Sequence, residues 1–189
     1  VVSATDSVTT VLAKSTGGQT DAFFGTFSEA LKKGMSVYED TSFYDNVLEG
    51  QLRGPDGAFV EWYVLGHEYG HHIQNLTGQM GNVRTQKGRD SDAVKLELQA
   101  DCYAGLWARH AASTDTADGE PLFAEGPNDA DIALAVKAAQ AVGDDHIQKV
   151  SQGRVDPDSW THGSSAQREE WFKVGYNSGD YRDCDIWRR

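Results

Sequence analysis

Apolar side chains recur at helical spacing through most of this chain, and strand-like alternation is rare. Phe23, Phe24, Phe27 and Leu31 predict a short amphipathic helix over 21–33. Val60, Tyr63, Val64, His67, Gly70 and His71 share one face of a longer helix that runs to Leu76, with Gly78 where its C-terminal cap is expected. Ser91 opens another strong helix, from Asp92 to about Ala112, in which Leu96, Leu98, Ala100, Tyr103, Ala104 and Trp107 give broad apolar coverage. Further helices are expected over 129–142, 143–153 and 164–176, the first with acidic residues at its start to match the helix dipole.

Turn and loop signals separate these segments. Pro55-Asp56-Gly57 marks a turn, 81–89 is a polar connector, 117–128 is a loop holding Pro121 and Pro127, and the tail after Gly179 is irregular. Residues 1–20 read as a partly ordered lead-in rich in Ser, Thr and Gly, and 36–43 as a strand. Strand signals are few, so any sheet is small. The expected class is α+β and predominantly helical, with a lead-in and short helix over 1–35 and a single compact domain over 36–189.

Composition narrows the partners. A hydrophobic content of 39% with five Trp fits a globular protein with a real core. The formal charge of −12, from 29 acidic and 17 basic residues, disfavours nucleic acid and anionic membranes. No apolar run approaches the ~18 residues of a membrane-spanning helix, so this segment is not expected to insert. A chain that starts at Val1 leaves room for an upstream signal or anchor. The two cysteines, Cys102 and Cys184, are compatible with one bridge tying the tail to the core, and equally with two separate thiols.

The candidate chemistry lies on the second of these helices. His67-Glu68-Tyr69-Gly70-His71 reads His-Glu-x-x-His, which puts two imidazoles on one helical face and a carboxylate beside them. That is two ligands of a zinc site and a general base for an activated water. The bland reading is a buried helix with two core histidines, and the rest of the chain decides against it. Glu97 follows far enough after His71 for the helix to end and a second to return antiparallel, carrying a third ligand. Asp101 lies one turn further on the same face, placed to accept a hydrogen bond from the far ring nitrogen of a ligand histidine. Ala93, Val94, Ala100, Cys102 and Ala104 make this stretch too apolar for a fully exposed acidic helix.

The strings Trp62 to Leu76, Glu97 to Ala108, Asp129 to Gln148 and Thr161 to Arg168, with the ending Gly179-Asp180 and Cys184-Asp185, resemble the bacterial family named putative neutral zinc metallopeptidases. The likeness covers about 36–187 in order. It implies a zincin-like fold with an active-site helix, an antiparallel Glu-bearing helix and a small β-sheet. It also implies a Zn2+ cofactor held by His67, His71 and Glu97 as in gluzincins, with Asp101 behind them and Glu68 catalytic. Peptide or protein substrates and an extracytoplasmic location, secreted or anchored in the cell envelope, are implied as well. Cys102 and Cys184 match family positions, which implies that they pair. The family usually has a further cysteine pair upstream, and residues 1–35 do not show it.

A donor opposite the metal is chemically expected for the oxyanion. His162 is the leading candidate, with bracing of the last helix as its bland alternative; Arg168 and Tyr176 are weaker candidates. Tyr69 is expected to pack, His72 to be a hydrogen-bonding surface group, and His110 and His146 to be plain surface residues. Other classes fit less well. A di-iron carboxylate protein needs a second Glu-x-x-His, which the chain lacks. A deformylase-type amidase is expected to use a cysteine ligand, and no cysteine precedes the histidine helix. The remaining alternative is a catalytically silent zinc-binding interaction module of the cell envelope.

Overall fold

The computed structural model describes residues 44–111, 113 and 127–188. Five α-helices run through the described residues: α1 (Ala58–Leu76), α2 (Asp92–Ala111), α3 (Asp129–Ala141), α4 (Asp144–Gln152) and α5 (Ser165–Ser178). A π-helical stretch, Tyr44–Gln51, precedes α1, and short 3-10 turns follow α1, α4 and α5. No strand occurs among the described residues. The expected strand over 36–43, the helix over 21–33, the lead-in and most of the loop over 117–128 lie outside them.

The helix ends follow local chemistry. Gly78, with φ of 73°, terminates α1 in the left-handed conformation that glycine adopts without strain. Asn128 and Asp131 form a reciprocal capping box at the start of α3, and Ser164 and Gln167 form one at the start of α5. α5 continues past Tyr176 until Gly179 ends it.

α2 is the central element, and every residue from Leu98 to Ala108 is buried. Small residues let its neighbours approach. α1 packs antiparallel, with Gly66 opposite Ala104 and Gly70 opposite Ala100; a Cβ on Gly70 would stand 2.9 Å from the Ala100 Cα. α5 packs on another side of α2 and runs in the same direction. Arg168 meets Asp101, Phe172 and Tyr176 meet Gly105, and Gly179 meets Arg109. A Cβ on Gly105 would collide with the Phe172 carbonyl, and one on Gly175 with the Cys102 carbonyl. Trp62 stacks on Trp107 at 5.4 Å between ring centroids, closing the core between α1 and α2.

Cys102 and Cys184 form a disulfide with their Cα atoms 5.6 Å apart, so the tail is stapled to the middle of α2. Two histidines expected on the surface hold backbone instead. His110 Nε2 lies 2.9 Å from the Gly179 carbonyl, and His146 Nε2 lies 2.7 Å from the Leu52 carbonyl. Each fixes a loop against a helix, a role that local sequence does not reveal. Tyr69 is buried, and half-buried His72 meets its ring edge-on.

Candidate metal centre

The α1–α2 crossing decides what meets at the site. Glycine at 66 and 70 draws the helices together, so the histidines on α1 face the acidic side of α2. His67 Nε2 lies 3.2 Å from Glu97 Oε2, and His71 Nε2 lies 3.3 Å from Glu97 Oε1. One ligand atom from each of His67, His71 and Glu97 falls within 4.8 Å of the others. Two imidazole nitrogens and a carboxylate oxygen, converging from two rigid helices, suit a zinc ion with an open coordination position.

The other ring nitrogen of each histidine has a partner that fixes its tautomer. His67 Nδ1 lies 2.8 Å from Asp101 Oδ1. Asp101 is fully buried, and it also accepts from the Tyr63 hydroxyl at 2.7 Å and from Arg168 Nε and Nη2 at 2.8 and 3.0 Å. A carboxylate bound by a guanidinium only accepts, so His67 Nδ1 carries the hydrogen and Nε2 presents its lone pair to the site. His71 Nδ1 lies 2.8 Å from Gln74 Oε1, which turns its Nε2 the same way.

Charges follow this arrangement. Burial works to raise the Glu97 pKa, but the bonds and charges of His67 and His71 hold it well below the usual carboxylate range. Burial works to lower that of His67; Asp101, then the bond to Glu97, outweigh it and raise the group to about 9. Asp101 stays ionised because Arg168, followed by His67, overcomes its burial. The cluster therefore offers an anionic pocket that a proton or a metal cation can occupy.

A cleft of about 400 Å³ opens at this cluster. Exposed Glu68 stands on its wall beside His67 and His71, and His162 and Arg168 line it too. Asp144 holds the His162 loop. Its Oδ2 accepts the backbone N–H groups of Thr161, His162 and Gly163 at 2.8, 2.7 and 3.0 Å, and its Oδ1 lies 3.3 Å from His162 Nδ1. Arg168 is 3% exposed and spends its donors on Asp101, Tyr63 and the Val142 carbonyl. Tyr176 stacks on Phe172 and is not among the residues lining the cleft. Aliphatic side chains complete the lining: Val47, Leu52, Val64, Val142 and Ile147.

Sequence reasoning missed Tyr63, Gln74 and Asp144, and it offered Arg168 for a different task. Gln74 had a signal, since it follows His71 by one helical turn on the same side. The other contacts join segments far apart in the chain.

The family model described as "Putative neutral zinc metallopeptidase" matches residues 8–187. An uncharacterized protein of Mycobacterium tuberculosis, Rv2575, is 48% identical over 151 residues, which cover 79% of this chain and 51% of that protein. The uncharacterized protein YpfJ of Escherichia coli is 44% identical over 157 residues, covering 79% of this chain and 50% of that protein. The chain thus spans about half the length of the curated relatives it matches. No solved structure matches it.

Proposed function

The chain belongs to the putative neutral zinc metallopeptidase family, and from that premise we propose that it is a zinc-dependent endopeptidase with His67, His71 and Glu97 as ligands. The observation that supports this most directly is the three converging donor atoms, each histidine braced from behind, with Glu68 on the same cleft wall. A zinc ion held there supplies a Lewis acid that acidifies a water molecule and polarises the scissile carbonyl. Glu68 takes the proton of the attacking water and passes it to the leaving amine. His162, oriented through Nδ1 by Asp144, donates from Nε2 to the oxyanion of the tetrahedral intermediate. Asp101, with Tyr63 and Arg168, keeps His67 in its ligand tautomer.

The aliphatic wall receives an apolar substrate side chain next to the scissile bond, so the substrates are peptides or proteins carrying such residues. The acidic charge argues against nucleic acid as substrate. The disulfide fits an oxidising, extracytoplasmic compartment. Among the described residues no helix is long and apolar enough to cross a membrane.

The test is hydrolysis of a peptide library by zinc-loaded protein. Wild type should cleave, and Glu68→Gln should keep about one zinc per chain yet lose cleavage. Zinc content unchanged by both His67→Ala and Glu97→Ala would overturn the ligand assignment. Zinc bound without any cleavage would favour the silent binding module.

A further inference from the structure

His67 and His71 are braced by different means. His67 rests on a carboxylate, and His71 rests on a chain of two buried amides that ends at the disulfide. The Cys184 backbone carbonyl can only accept, so Gln99 must present its NH2 group there, at 2.8 Å. That turns Gln99 Oε1 toward Gln74 Nε2, at 3.0 Å. The Leu96 carbonyl, again only an acceptor, takes another hydrogen from the same Nε2 at 2.7 Å. Gln74 Oε1 is thereby left for His71 Nδ1, which must carry the hydrogen.

Every bond in this row has its direction set by a backbone carbonyl, and neither amide can flip without setting two acceptors face to face. Gln74 and Gln99 are 0% and 1% exposed, so water cannot replace either partner. Cys184, whose carbonyl ends the row, is held to α2 by its bond to Cys102.

We propose that Gln74 and Gln99 are positioning residues that carry the fixed polarity of the Cys184 carbonyl to His71, so that the Cys102–Cys184 bridge sets the affinity of the metal centre. This rests on the ligand assignment above but not on peptidase activity. The test is zinc affinity of the full chain by competition with a chromophoric chelator, with folding followed by circular dichroism. Gln74→Met, Gln99→Met and the double variant Cys102→Ala/Cys184→Ala should each bind zinc about 10- to 100-fold more weakly than wild type.

Gln74→Glu separates positioning from stability. Its carboxylate still accepts from His71 but faces the Leu96 carbonyl and Gln99 Oε1, so it should melt lower than Gln74→Met and yet bind zinc more tightly. A purely structural role would put both quantities in the same order. In 15N-edited spectra of wild type, the His71 Nδ1–H proton should be protected from solvent exchange, and Gln99→Met should lose that protection. Folded Gln99→Met or double-cysteine variants with wild-type zinc affinity would overturn the proposal, as would an unprotected His71 Nδ1 in wild type. Wild type that bound no zinc would sink the ligand assignment and this proposal with it, whereas zinc bound without cleavage would sink the peptidase reading alone.

Discussion

Arg168 grips Asp101 with two bonds, Nε to Oδ2 at 2.8 Å and Nη2 to Oδ1 at 3.0 Å, directly behind His67. Both groups are buried, so removing either partner leaves an uncompensated charge. Arg168→Met should cost about 3–5 kcal/mol of stability, and zinc affinity should fall about 10- to 100-fold as His67 loses its brace. The pair also sets an acid limit. Burial works to raise the Asp101 pKa, and Arg168 prevails in lowering it. Its contribution to stability is therefore present above the unfolded value of about 3.9 and is lost as pH falls through the lower folded value. Thermal melts of wild type and Asp101→Asn should converge at strongly acidic pH. Parallel curves down to the acid transition would sink this account.

Gly70 offers a purely steric test. A Cβ there would stand 2.9 Å from the Ala100 Cα, which is backbone and cannot swing away. Gly70→Ala should therefore separate α1 from α2 at the level of His67, His71 and Glu97. We expect a loss of about 1–3 kcal/mol in chemical denaturation, together with weaker zinc binding. Gly81→Ala, with nothing within 4 Å of its Cβ, is the control and should leave zinc binding unchanged.

The parts of this site that follow a helical period were legible in the sequence. His67, Glu68 and His71 share one helix, and Glu97 and Asp101 share another, so spacing alone puts each set on a common face. That the two faces meet depends on Gly66 and Gly70, where a missing side chain lets the α2 backbone approach, and helical spacing does not name the partner of either glycine. The bracing residues were illegible for a physical reason. Arg168, Gln99 and Asp144 act across long sequence separations, and a polar side chain reveals its partner only once burial removes water as an alternative. One clue was present: Gln99 and Asp101 are polar residues inside an otherwise apolar stretch of α2, and buried polar groups demand partners.

His162 and Asp144 link activity to pH. The bond to Asp144 raises the His162 pKa above its ordinary 6.5, against an opposing effect of burial and with help from the Glu97 charge. If protonated His162 is the oxyanion donor, kcat/KM should decline on the alkaline side at a pH above 6.5, and Asp144→Asn should move that limb to lower pH. The His162 contribution to stability has the same sign: it is present below about 6.5 and is lost as pH rises through the raised folded value. His162→Ala should lower kcat/KM about 100- to 1000-fold while zinc content stays constant. An alkaline limb that stays in place in Asp144→Asn would assign Asp144 to holding the 161–163 backbone alone.

The aliphatic wall makes the substrate preference testable without knowing the physiological substrate. Val142 and Ile147 line the cleft from the end of α3 and from α4, while Val64 comes from the helix that carries His67 and His71. A substrate side chain resting there replaces water against apolar surface, and each methylene contributes roughly 1–3 kcal/mol to discrimination. In a peptide series varied only beside the scissile bond, Leu, Ile or Met should exceed Gly and Asp by about 100-fold or more in kcat/KM. Val142→Asp should depress cleavage of the Leu peptide and improve that of a Lys peptide, because it places a carboxylate where the chain now offers only carbon. Zinc content should be retained, since the Val142 side chain takes no part in the bonds that orient His67 and His71, and its backbone carbonyl, which accepts from Arg168, is kept in the variant. Equal rates for Leu and Asp peptides with wild type would move the specificity elsewhere in the molecule.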